Sequence, residues 1–206
     1  MSGTHIAVGV AFALAIAQTG SVESCAFALV GGAVGSVMSD TDTKSSKHYK
    51  DARNGRIVAA LIVAAASLAD VFYGVGVWDY LFAHVDAALL VGVASFAAVS
   101  FIGARSRHRT FTHSLLGLAL WSATLQLLCS ALAPFFAVAF VSHLVLDLLN
   151  SKPIQLLYPW KRGFCLSLCR ADGAVNSALL VGGIAMSALL LSYRLLPALG
   201  ITIALS

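Results

Sequence analysis

The chain reads as an all-α, polytopic integral membrane protein, and three observations predict that class. Of its 206 residues, 59% are hydrophobic and 11% charged, against about 45–50% and about 25% in soluble domains; the mean hydropathy is +0.89. Apolar runs recur between short polar breaks, at about 5–19, 25–38, 57–78, 86–104, 114–133, 134–150 and 173–193, with a short apolar tail after Pro197. Twelve of the 13 Lys and Arg residues fall in only three of those breaks.

A membrane-spanning helix needs about 20 predominantly apolar residues. The first run has no Lys or Arg in Met1 to His5 and no persuasive A-x-A site between it and the next run, so it reads as a retained helix and not a signal peptide. The first two runs are short and predict a tilted or re-entrant N-terminal hairpin. Those at 57–78, 86–104, 114–133 and 173–193 are long enough to span, and 134–150 becomes so if Pro134 opens its helix. The sum is about six to seven hydrophobic helices, with no internal repeat and no soluble segment, in a single helical membrane domain covering 1–206.

Charge orients the bundle. The basic breaks, Lys44 to Arg56, Arg105 to Arg109 and Lys152 to Arg170, follow the second, fourth and sixth runs and so lie on one side. The positive-inside rule makes that side cytoplasmic, together with the N-terminus. The opposite loops and helix ends carry Glu23, Asp70, Asp79 and Asp86. On the basic side stand His5, His48, His108, His113 and His143, with Asp40, Asp42, Asp147, Asp172 and Asn176; only His84 is opposite. The arginine run Arg105 to Arg109 is by default a topology signal and a headgroup contact, so membrane lipids are the expected partners and no direct nucleic-acid binding is expected.

His143 and Asp147 carry the strongest chemical signal. One helical turn apart, they share a face at the edge of hydrocarbon, where an ionisable group is costly and points to function. An imidazole and a carboxylate at that spacing suit a divalent cation, and His113, Asp40 and Asp42 supply further nitrogen and oxygen donors. Zinc is the first expectation, with manganese or magnesium as alternatives. A serine nucleophile is the poorer reading, because Ser114 and Ser142 adjoin histidines at i and i+1, which point to different helix faces. Cys165 and Cys169 read as reduced thiols in a cytoplasmic loop.

Five fragments carry a family resemblance: "HRTFTHS" (His108 to Ser114), "SHLVLDLLN" (Ser142 to Asn150), "LYPW" (Leu157 to Trp160), "GGAVGSVMSDTD" (Gly31 to Asp42) and the early His5. In order and kind they resemble the YdjM family, described as LexA-binding, inner-membrane-associated, metal-dependent hydrolases. Where that family has P-D-x-D, Ser39 replaces the proline here. The loop after the His/Asp motif is "NSKPIQLLYP" instead of the usual glycine-containing stretch. The resemblance implies an inner-membrane location, hydrolysis and a cytoplasmic protein partner.

The expected function is therefore metal-dependent hydrolysis at the cytoplasmic leaflet, on a phosphoester or related bond of an amphiphile. Metal ligands would be Asp40, Asp42, His113, His143 and Asp147. Arg109, with Arg105, Arg107 and Lys152, would hold the substrate anion, and His108 or His5, uncoordinated, would protonate the leaving group. The segment from Asn150 to Arg170 interleaves Ile154, Leu157, Tyr158, Trp160, Phe164, Leu166 and Leu168 with basic residues and reads as an interfacial strip. Two readings from other classes are an ion- or proton-coupled transporter and a membrane regulator that binds a cytoplasmic protein.

Overall fold

The structure, a computed structural model, describes residues 2–42, 71, 85–169 and 173–199. Its helices are α1 (Ser2–Ala15), α2 (Val22–Met38), α3 (Ala87–Arg105), α4 (Leu115–Leu128), α5 (Ala133–Leu149) and α6 (Ala174–Leu195), with 3-10 turns at Ser39–Asp42, Phe111–His113 and Leu196–Leu199. No strand occurs among the described residues, only isolated bridges between Asn150 and Cys169 and between Ile154 and Phe164. The all-helical class is thus as the composition predicts. The run at 57–78 apart from Val71, the basic break at 44–56 with His48, and Asp70, Asp79, His84 and Asp172 lie outside the described residues. The count of six to seven helices is therefore not fixed by them.

Contacts divide the chain into two units, Met1–Asp42 with Gly92–Ser206, and Thr43–Val91. In the second, residues 85–91 begin α3, where Asp86 Oδ1 accepts a hydrogen bond from the Leu89 N–H at 2.7 Å and caps the helix start. In the first, α1 and α2 form the expected N-terminal hairpin. Ser21 caps α2 by accepting from the Ser24 N–H, and Gly20 supplies the left-handed turn at φ 80°.

Among the described residues, three helical stretches are long and apolar enough to cross a membrane: Val22–Asp42, Ala87–Arg105 and Ala174–Ala198. Three expectations change here, the first at 134–150: Pro134 does stand in the first turn of α5, yet that helix has 17 residues and is not among the three. The second run is not short, because α2 starts at Val22 and continues into the 3-10 turn that ends at Asp42. The run at 114–133, expected to span, is only the 14-residue α4. Its helix stops at Leu128 because the chain turns through 129–132 and Pro134, in the first turn of α5, opens the next helix.

Helix α5 is the centre of the larger unit, packing on α1, α2 and α4, while α1 also packs on α2 and α6. One buried cluster gathers Phe111, Trp121, Phe136, Phe140 and Ile154. Trp121 is wholly buried, and its Nε1–H donates to Ser100 Oγ of α3 at 3.2 Å. A second cluster joins Leu14, Cys25, Ala28 and Phe135. By contrast α6 buries only Gly183 and turns Val181, Ile184 and Leu189 outward, the pattern of a helix whose surroundings are as apolar as itself.

The segment after α5 folds back on it. The N–H groups of Leu166, Leu168 and Ser167 donate to the carbonyls of Leu148, Leu149 and Asn150, satisfying acceptors that a helix end leaves unpaired. Trp160, Leu166 and Leu168 are exposed, as expected of an interfacial strip, but Ile154 is fully buried and paired with Phe164 through both backbone bonds.

Candidate metal centre

Four stretches of chain deliver the site: the N-terminal end of α1, the turn after α2, the loop between α3 and α4, and the last turns of α5. His5, Asp42, His113, His143 and Asp147 are buried there, and Asp40 is partly buried. The i, i+4 spacing does what the sequence predicts, with His143 Nε2 3.8 Å from Asp147 Oδ2. Around them, His113 Nε2 lies 3.2 Å from Asp147 Oδ2 and 3.6 Å from Asp40 Oδ1. His143 Nε2 is 4.0 Å from Asp40 Oδ1, and His5 Nε2 is 3.8 Å from Asp147 Oδ1. Donor atoms held about 2.0–2.2 Å from one ion stand roughly 3–3.5 Å from each other, so the cluster is close to the size that an ion would set.

The hydrogen bonds fix which ring nitrogens face inward. His143 Nδ1 is 2.7 Å from the Ser36 carbonyl, an acceptor, so Nδ1 carries the proton and the neutral ring presents its Nε2 lone pair. Thr112 Oγ1 lies 2.6 Å from Asp42 Oδ2 and must donate to it, which leaves Oγ1 to accept from His113 Nδ1–H at 3.0 Å. His113 likewise presents Nε2. Both Nε2 atoms are buried and make no hydrogen bond of good geometry, an arrangement that suits metal ligation and that apolar packing alone does not require. Burial opposes an imidazolium at His113, but the carboxylates of Asp147, Asp40 and Asp42 outweigh it and push its pKa up to about 9, so Nε2 carries a proton at neutral pH that a bound cation would displace. The same negative charge favours a divalent cation.

These residues fit a metal ion. His5, His143 and Asp147 form one possible ligand group, Asp40, His113 and His143 a second, and Asp42, His108 and His113 a third. His5 was expected to stay uncoordinated, yet it stacks on His143 with ring centroids 4.0 Å apart and joins the first group. Asp42 was expected as a ligand, and its oxygens already accept from Thr112, from the Arg109 N–H at 3.2 Å and from His108 Nδ1 at 2.8 Å. That places it chiefly behind the site, orienting His108, His113 and the loop. Thr112 and the Ser36 carbonyl escaped the sequence reading. Thr112 lies beside His113 in the quoted "HRTFTHS", but its bond to a residue 70 positions away has no local signature.

Arg109 joins the cluster to a basic basin. Its backbone is left-handed at φ 65°, a conformation costing a non-glycine residue about 1–2 kcal/mol. It is held there by its N–H to Asp42 and by the Gln155 N–H to its carbonyl at 2.9 Å. The guanidinium reaches Asp147 Oδ1 at 3.5 Å and donates to the Lys152 carbonyl at 2.6 Å. The basin, about 670 Å³, is lined by Arg107, His108, Arg109, Lys152, Tyr158 and Lys161 among others, with no carboxylate among its described lining residues. Arg105 is not brought into it: its guanidinium lies 3.4 Å from the ring centroid of Phe101.

Replacing Thr112 by valine keeps the shape and removes the hydroxyl that links Asp42 to His113. Metal affinity should fall about 10–100-fold, the usual effect of losing a group that orients a ligand, while Thr112→Ser should retain it. Calorimetric titration of the metal-stripped protein with zinc checks this, and equal affinities for all three proteins would refute the linkage.

Comparison with known proteins agrees with the apolar helices. No curated protein and no solved structure matched the chain. The family described as YdjM inner membrane protein matches residues 1–205, nearly its whole length, and the chain belongs to that family.

Proposed function

We propose that this inner-membrane protein is a metal-dependent hydrolase that cleaves a phosphoester or related bond of an amphiphile at the cytoplasmic leaflet. The observation that carries this reading is the pair of buried Nε2 atoms on His113 and His143, which make no hydrogen bond of good geometry and face Asp40 and Asp147 beside a basic basin. The mixed nitrogen and carboxylate donors suit zinc first, then manganese or magnesium, and such an ion supplies Lewis acidity and lowers the pKa of water toward neutrality.

The protein's own groups divide the remaining tasks. Arg109, backed by Arg107 and Lys152, holds the anionic oxygens of the substrate where charge develops. His108, whose Nδ1 is bonded to Asp42 and whose side chain is 45% exposed at the basin, is oriented to give a proton to the leaving group. Asp42 thus serves two histidines, fixing one as ligand and one as proton donor. The donors sit at helix ends and not midway along continuous helices, which favours an enzyme over a transporter, whose sites tend to lie at the bilayer midplane. The basic loops support an orientation with the N-terminus and the site cytoplasmic.

Detergent-solubilised protein should release product from a long-chain alkyl phosphoester without any membrane gradient, and chelation should abolish turnover. Arg109→Lys should lower turnover while keeping the metal, because lysine lacks the planar fork. If wild type never exceeds His143→Ala on any ester while reconstituted vesicles show His143-dependent flux, the transporter reading replaces this one. Labelling of a cysteine at position 161 from the periplasmic side would overturn the orientation.

A further inference from the structure

An apolar groove of about 310 Å³ runs along the seam of α1 and α5, lined chiefly by Val8, Phe12, Val138, Val141, Val145 and Leu146. Val8 and Phe12 follow His5 by three and seven residues and so continue its stripe on α1. On α5 the lining runs from Ala137 to Leu146, the residue before Asp147. The groove thus begins within a turn of two residues of the ligand cluster and extends away for about 13 Å, at about 1.5 Å per residue. Phe12, Val141 and Val145 are exposed along it. The hydroxyl of Ser142, the polar side chain in the wall, is satisfied by the Ala139 carbonyl at 2.7 Å. Nothing in this wall calls for a polar occupant.

Asp147 therefore stands at a junction. Arg109 links it to the cationic basin, and His5, whose Nε2 is 3.8 Å from its Oδ1, stands one turn before Val8 on the stripe of α1 that lines the apolar groove. We infer that the groove holds the alkyl chain of the substrate, whose anionic head occupies the basin and whose susceptible bond lies at the ligand cluster. The assignment rests on the hydrolase reading and narrows the substrate to a long-chain amphiphile with its ester at the headgroup end. Lipid tails are as apolar as the groove, so little affinity comes from moving a chain between them. The gain is position: a chain fixed beside His5 and Asp147 holds the ester against the donors.

The test uses the full chain in nanodiscs and a long-chain alkyl phosphate with a diazirine in its chain. Photolabelling mapped by mass spectrometry should concentrate on residues 8–12 and 138–146, and Val141→Trp, which fills the groove, should remove it. The same variant should lower turnover of a long-chain phosphoester by about tenfold or more and spare a water-soluble short-chain one. Val138→Trp, a turn away, serves if Val141→Trp lowers the melting temperature. Labelling spread evenly onto the outward residues Val93 and Val181, or tryptophan variants that melt normally and change neither labelling nor chain-length preference, would overturn the assignment. Groove-confined labelling in a protein that hydrolyses no ester would uphold the groove as an alkyl-chain site and defeat the hydrolase reading.

Discussion

His143→Ala is expected to deprive the purified protein of its divalent ion and to abolish hydrolysis. The side chain is wholly buried, its Nδ1 is committed to the Ser36 carbonyl, and it belongs to two of the three possible ligand groups among the described residues. Loss of a ligand should weaken binding beyond the about 10–100-fold that follows loss of an orienting partner. Asp147→Asn should act in the same direction, since Asp147 Oδ2 faces His113 and His143 while Oδ1 faces His5 and Arg109. Stability reports the same event independently. An ion at 100 times its dissociation constant adds about 2.7 kcal/mol to the folded state, so metal-loaded wild type should melt above His143→Ala and chelation should remove most of the difference. Elemental analysis with melting curves, with and without chelator, gives both readings. Wild type that purifies without metal, and whose melting temperature ignores added zinc, manganese and magnesium, would sink the centre.

That site was largely legible in the sequence because its central pair obeys a local rule. His143 and Asp147 share a helix face whatever the rest of the fold does, and charge placement put His113, Asp40 and Asp42 on the same side. The division of labour was not legible. Asp40 and Asp42 look alike as D-x-D, yet Asp42 collects Thr112, His108 and the Arg109 N–H while Asp40 faces the imidazoles. Those contacts cross more than 60 positions, and no periodicity reports them. The place of His5 beside His143 has no local signature, because their stacking depends on α1 lying against α5. The length of α4 failed for another reason: hydropathy sees one apolar stretch through 114–133, whereas the helix boundary is set by the turn at 129–132. Ser39, which stands where the family has proline, adopts φ −64°, close to the value a proline ring would impose, so the turn that presents Asp40 and Asp42 survives the exchange.

Gly35→Ala is expected to damage stability and metal binding together, although residue 35 touches neither metal nor substrate. Helix α2 meets α5 through Gly31 and Gly35. A Cβ at Gly31 would lie 2.8 Å from the Phe135 Cβ, and one at Gly35 would press on the Phe136 carbonyl oxygen at a separation that no real Cβ tolerates. Gly31 and Gly35 form the small-xxx-small pattern that lets helices in membranes approach closely. The obstructing atom is backbone, which cannot rotate aside, so the helices must separate at a cost of about 1–3 kcal/mol. Separation also acts on the site, because the next residue, Ser36, supplies the carbonyl that fixes the His143 tautomer at 2.7 Å, and Asp40 follows within the succeeding turn. Gly182→Ala is the matched control. A Cβ there meets nothing within 4 Å, and alanine should stabilise α6 by about 0.5–1 kcal/mol. Melting temperature and metal content, measured side by side, decide the matter. Should Gly35→Ala melt with wild type and keep its metal, the close approach of α2 to α5 is not what positions His143, and the orientation of that ring must come from α5 alone.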